Sequence, residues 1–137
     1  MKPELSAECW RCGVSPGDFT HIFWTCPKIQ QYWTEVLDLI GLVALITVPI
    51  TMEVCLLGLI ETLVPTVAGR TLIGLLLFYA RKNIAMNWKK PTMPSLAQWK
   101  RLVNESLPLY KDTYESRGCP LKYGKIWRTW LAEPTTA

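Results

Sequence analysis

Apolar residues recur at helical spacing in separate stretches of the chain, with prolines and glycines between them. Pro27 suits the first turn of a helix, and Ile29, Trp33, Val36, Leu37 and Ile40 behind it line one face. Gly41 is placed to end that helix. Residues 43–64, rich in Val, Ile, Leu and Thr and punctuated by Pro49 and Gly58, predict irregular extended structure with one short helix, closed by Pro65. A long helix is expected over 67–89, with Leu72, Leu75, Leu76, Tyr79, Ile84 and Trp88 as its apolar face. Pro91 and Pro94 stop it. Ser95 with Gln98 has the form of a capping box opening the next helix, whose apolar side carries Leu96, Trp99, Leu102 and Val103 while Lys100 and Arg101 project the other way. Pro108 is expected to end or kink that helix. After a loop at 115–120, Tyr123, Ile126, Trp127, Trp130 and Leu131 form a last short segment, and 132–137 read as a frayed tail. The predicted class is mainly α: a bundle of three to five helices with little or no sheet.

At 137 residues the chain has the length of one domain with a modest core. Half of it is apolar and seven residues are tryptophan, which suits core and interface anchors. The longest charge-free run, 39–52, is broken by Pro49 and ended by Glu53. It falls short of the roughly 20 apolar residues of a membrane span. Buried core segments are the better account.

Charge changes the picture more. Residues 1–69 hold three bases and seven acids, net −4, while residues 70–137 hold twelve bases and four acids, net +8. Such asymmetry is expected either of solvated helix faces or of a second half that meets a polyanion.

The chemistry concentrates near the start, where Cys9, Cys12, His21 and Cys26 form C-x2-C-x8-H-x4-C with the chain's single histidine. Structural zinc takes four such ligands in a tetrahedron, usually as two close pairs joined by a loop. A disulfide or a redox pair is the alternative. Five cysteines are an odd number, and residues 1–5 lack the apolar stretch of a secretory signal, so a reducing intracellular setting, cytoplasm or nucleus, is expected. No βαβ context for a redox pair is visible. The expectation is one structural Zn2+, a zinc-binding loop over 1–28, and a helical region over 29–131 packed with it as one domain. Four protein ligands leave no open position for catalysis. Cys55 and Cys119 read as ordinary thiols.

Several stretches carry a resemblance. Cys9-Trp10-Arg11-Cys12-Gly13, Phe19 through Ile29, Tyr32-Trp33, Leu56-Leu57-Gly58, Leu75 through Leu77, Ala80 through Ala85, Trp88-Lys89, Pro91 through Pro94, Trp99 and Lys125 through Leu131 occur in that order. They resemble the cysteine-rich C-terminal segment of non-LTR retrotransposon reverse transcriptases, especially those of vertebrate long interspersed elements. The resemblance implies zinc ligation by Cys9, Cys12, His21 and Cys26. It also implies a basic region, Arg81, Lys82, Lys89, Lys90, Lys100 and Arg101, that helps hold template RNA or target DNA. Arg11 is a further candidate contact; for Trp24, packing beneath the metal loop is the favoured role. A Tyr-Ala-Asp-Asp polymerase signature and the clustered acids of a nuclease are absent from the sequence. The expectation is therefore a non-catalytic, detached segment that binds RNA or DNA without taking a small-molecule substrate. The alternatives are a segment whose apolar surface docks on the upstream polymerase part, and a small membrane-associated protein.

Overall fold

The computed structural model describes residues 9, 11–13 and 18–132. Trp10, Pro16, Gly17 and the tail beyond Ala132 lie outside these. Among the described residues the chain is mainly helical, without a strand, as the periodicities predict. A π-helical turn, His21–Thr25, leads into α1 (Pro27–Ala44), α2 (Met52–Leu57), α3 (Val67–Met86), α4 (Leu96–Ser116) and α5 (Pro120–Ala132). No helix among the described residues is long and apolar enough to cross a membrane.

Most boundaries follow local chemistry. Thr51, Thr66 and Ser95 each accept a bond from the backbone N–H three residues on, at 3.3, 3.0 and 3.3 Å, which satisfies donors that the first turns of α2, α3 and α4 leave orphaned. The capping box is only half made, because Gln98 turns its side-chain carbonyl to Asn87 Nδ2 (3.2 Å). Asn87 also bonds back to the Asn83 carbonyl at 2.7 Å, and α3 ends at Met86 rather than running on to 89.

Two expected stops fail. Gly41 lies inside α1, which continues to Ala44 and ends where Leu45 takes a left-handed conformation (φ 59°). The glycine serves a close approach instead: a Cβ at position 41 would stand 3.0 Å from the Ile46 carbonyl oxygen as the chain turns back. Pro108, expected to end or kink its helix, does not end α4, which continues to Ser116. Its missing N–H removes one bond on an exposed side, while buried Leu107 and the part-buried Tyr110 and Tyr114 hold the rest of the helix to the core.

Helices α3, α4 and α5 pack on one another, α1 lies across them, and α2 covers part of α3. Trp33, Trp99, Trp127 and Trp130 are fully buried between them. Three of these indoles are also tethers. Trp33 Nε1 donates to the Phe23 carbonyl (2.9 Å), Trp99 Nε1 to the Leu76 carbonyl (3.0 Å) and Trp130 Nε1 to Asn104 Oδ1 (2.8 Å). A buried polar strut joins α1, α3 and the start of α4. The Tyr32 hydroxyl donates to the Ala80 carbonyl (2.9 Å) and accepts from Asn83 Nδ2, which also reaches the Ser95 carbonyl (2.9 Å). Burial raises the Tyr32 pKa, only partly offset by the Asn83 bond, so the phenol stays protonated.

Candidate metal centre

The turn at Cys9–Cys12 and the π-helical turn place all four predicted ligands together. The Gly13 N–H bonds to the Cys9 carbonyl at 2.8 Å, and Gly13 itself sits at φ 75°, which L side chains rarely adopt. On the other side Asp18 Oδ1 accepts the His21 N–H at 2.9 Å and starts the turn that carries His21. The wider π-helical turn then delivers Cys26, whose N–H bonds to the His21 carbonyl five residues back (2.9 Å), to the start of α1. The ligand atoms of Cys9, Cys12, His21 and Cys26 all lie within 4.8 Å of one another, and only Cys12 is more than slightly exposed.

The distances fit a tetrahedral ion. A metal about 2.3 Å from each sulfur sets sulfurs about 3.8 Å apart. Cys9 Sγ and Cys26 Sγ are 3.9 Å apart, and Cys12 Sγ lies 3.2 Å from His21 Nε2. The same separation rules out a Cys9–Cys26 disulfide in this arrangement, and no disulfide joins any of the described cysteines. The other imidazole nitrogen, Nδ1, is 3.0 Å from Thr25 Oγ1. That bond holds the ring so that Nε2 faces the sulfurs, the usual outer support of a metal-bound histidine. Thr25 follows His21 by four residues, one helical turn, a spacing visible in the sequence.

Electrostatics agree with a site for a cation. Burial pushes the Cys9 thiol up, but the backbone N–H groups of Cys12 and Arg11 and the thiols of Cys12 and Cys26 more than offset it, so its pKa is lowered. Three thiolates around a divalent ion leave a net negative centre. Arg11, on the turn between two ligands, supplies a cation that is only 4% exposed. Its guanidinium donates to the Ile22 carbonyl, while Nε and the other terminal nitrogen have no hydrogen-bond partner. A buried, under-satisfied cation is costly unless negative charge lies near it. The residues present thus fit a metal ion bound by three sulfurs and one imidazole.

Arg11, named above as a candidate nucleic-acid contact, is thus buried with its charge turned inward. Arg81 is also otherwise engaged, since one terminal nitrogen of its guanidinium donates to the Cys55 carbonyl at 3.1 Å. Lys82, Lys89, Lys90 and Arg101 are exposed and Lys100 is half-buried. Lys82 leans over the Tyr79 ring and Lys89 over the Trp88 ring, at 5.9 and 4.9 Å from the ring centres. Trp24 is half-buried and packs against the core. Lys28, two residues beyond Cys26, donates to the Pro91 carbonyl (3.2 Å) and ties the metal loop to the turn that bears Lys89 and Lys90. Nothing in the sequence marks that link, which spans 63 positions.

The chain matches no protein-family model and no solved structure.

Proposed function

We propose that this chain is a zinc-stabilised module that binds nucleic acid and performs no catalysis of its own. The observation that carries the reading is the convergence of Cys9, Cys12, His21 and Cys26 within 4.8 Å, with Thr25 behind the imidazole. Zinc is the assignment because a cage of three thiolates and one imidazole suits a tetrahedral borderline-soft ion, and four ligands leave no site for a reacting water. The ion pins the start of α1 to the loop, so its role is folding. The nucleic-acid part rests on the basic second half, on exposed Lys82, Lys89, Lys90 and Arg101, and on the resemblance to the retrotransposon segment. Binding of this kind is electrostatic, tolerant of sequence, and weakened by salt. An intracellular setting, cytoplasm or nucleus, follows from the thiolate ligands.

Elemental analysis of the purified, reduced chain tests the first part, with one zinc per chain expected. A titration of the metal-loaded chain with labelled RNA at rising salt tests the second. No salt-sensitive complex at any concentration refutes it.

One observation favours a second reading, docking onto a larger polymerase. Leu42, Leu45, Leu57 and Leu59, around α2 and the end of α1, are 59%, 84%, 66% and 56% exposed. Large apolar side chains left this exposed are the kind that a partner surface covers. Aggregation of the isolated chain, relieved by co-expression with an upstream polymerase segment, would support that reading.

A further inference from the structure

Helix α5 carries Lys122, Lys125 and Arg128 and no acidic residue. All three cations are exposed, although none belongs to the basic region implied by the resemblance. Solvated helix faces ordinarily intersperse both signs of charge. The three-residue spacing winds the cations slowly across one side of the helix, with a rise of about 9 Å from first to last.

Besides a concavity on α5 itself, lined by Leu121, Gly124, Arg128 and Leu131, Lys125 borders two between α5 and its neighbours. One, of about 380 Å³, lies among the start of α3, the end of α4 and α5, where Val67, Ala68 and Ile126 meet Tyr114, Lys122 and Lys125. The other, of about 530 Å³, is lined by Val64, Pro65 and Leu72 together with Lys125, Arg128 and Thr129. Both volumes fall in the range of small-ligand seats, about 300–1,000 Å³. Each joins an apolar floor to a cationic rim.

That combination matches a flat, largely apolar ring strung on phosphodiesters. We infer that the two seats on either side of Lys125 bind single-stranded nucleic acid, with unstacked bases against Tyr114 and the aliphatic floors and phosphates on Lys122, Lys125 and Arg128. Stacking on an aromatic ring beside a basic track is the general mode of single-strand binding. A duplex keeps its bases stacked and would leave both seats empty. A lipid surface would engage Leu121 and Leu131, which share a concavity with Lys125 and Arg128 but line neither seat. The inference rests on the nucleic-acid reading above and adds a second surface to it.

The test is fluorescence anisotropy of a short oligo(dU) with the metal-loaded full chain at several salt concentrations. The triple variant K122Q/K125Q/R128Q should bind about tenfold or more weakly, with a salt slope shallower by about 2, the share of three phosphates on a single strand. All three positions are exposed, so a thermal melt should be unchanged. Tyr114→Leu should weaken binding about fivefold or more with the slope intact, by loss of stacking. If the triple variant binds as tightly and as steeply as the unaltered chain, the α5 site is refuted while the nucleic-acid reading stands. If the unaltered chain shows no salt-sensitive binding, both fall. Tighter binding to a duplex of the same length overturns the single-strand assignment. Retention on phosphatidylserine vesicles without oligonucleotide binding overturns it in favour of a lipid surface.

Discussion

Replacing Arg81 with glutamine separates a residue that holds the fold from one that holds a ligand. Arg81 sits in α3, half-buried, and donates to the Cys55 carbonyl at 3.1 Å across 26 positions of sequence. That carbonyl is among the last of α2, which has no partner for it within the helix. With six residues α2 is too short to stand alone. It is kept in place by the burial of Val54 and Cys55 and by this bond to α3. A hydrogen bond to a charged donor contributes about 1.5–3 kcal/mol, and half exposure brings it to about 1–2 kcal/mol. At this chain length each kcal/mol shifts Tm by about 3–5 °C, so Arg81→Gln should lower Tm by about 3–10 °C. The guanidinium is already committed, so the salt slope of nucleic-acid binding should not move. Lys89→Gln should do the opposite, leaving Tm in place and making the slope shallower by about 0.7. Calorimetry and a salt titration read the two effects separately. An Arg81→Gln chain with unchanged Tm and a slope reduced as far as that of Lys89→Gln would refute the assignment.

Thr25→Val removes the partner of His21 Nδ1 without touching a ligand and should weaken metal binding about tenfold, measured by competition with a chromophoric chelator. Stripping the metal should speed amide exchange in residues 18–26 and at the start of α1, while the amides of α3, α4 and α5 stay protected; uniform loss of protection would contradict a local role for the ion. Burial pushes the Cys55 thiol up to about 12, against 9.0 in an unfolded chain. The folded state keeps that proton where the unfolded chain releases it, so this group's contribution is complete below pH 9 and is lost as pH rises toward about 12. Urea midpoints of Cys55→Ala should therefore fall less steeply with pH across that window than those of the unaltered chain. Pro108→Ala restores a missing helix bond on an exposed side and should stabilise the chain by about 1–3 kcal/mol in urea unfolding; a loss of stability would refute the view that the proline is only tolerated there.

The helical class and the tryptophan core were legible because apolar periodicity is local and a buried face repeats every three or four residues. Trp33, Trp99, Trp127 and Trp130 all come from such stripes. The ligand set was legible for a similar reason: Cys9, Cys12, His21 and Cys26 lie close enough in sequence for loop geometry alone to limit where they can meet. Local signals failed where distant packing outweighed them. Gly41 and Pro108 have poor helical propensity, yet buried neighbours carry both helices past them, because a few kcal/mol of burial exceeds one residue's preference. Charge was the least readable property of all. Arg11, Arg81 and Lys125 are equivalent as letters, but the first is buried beside the cysteine cluster, the second is bonded to a carbonyl of α2, and the third borders two concavities. A cation's role depends on which acceptors and apolar walls the folded chain brings to it from far along the sequence, and composition and spacing do not encode that.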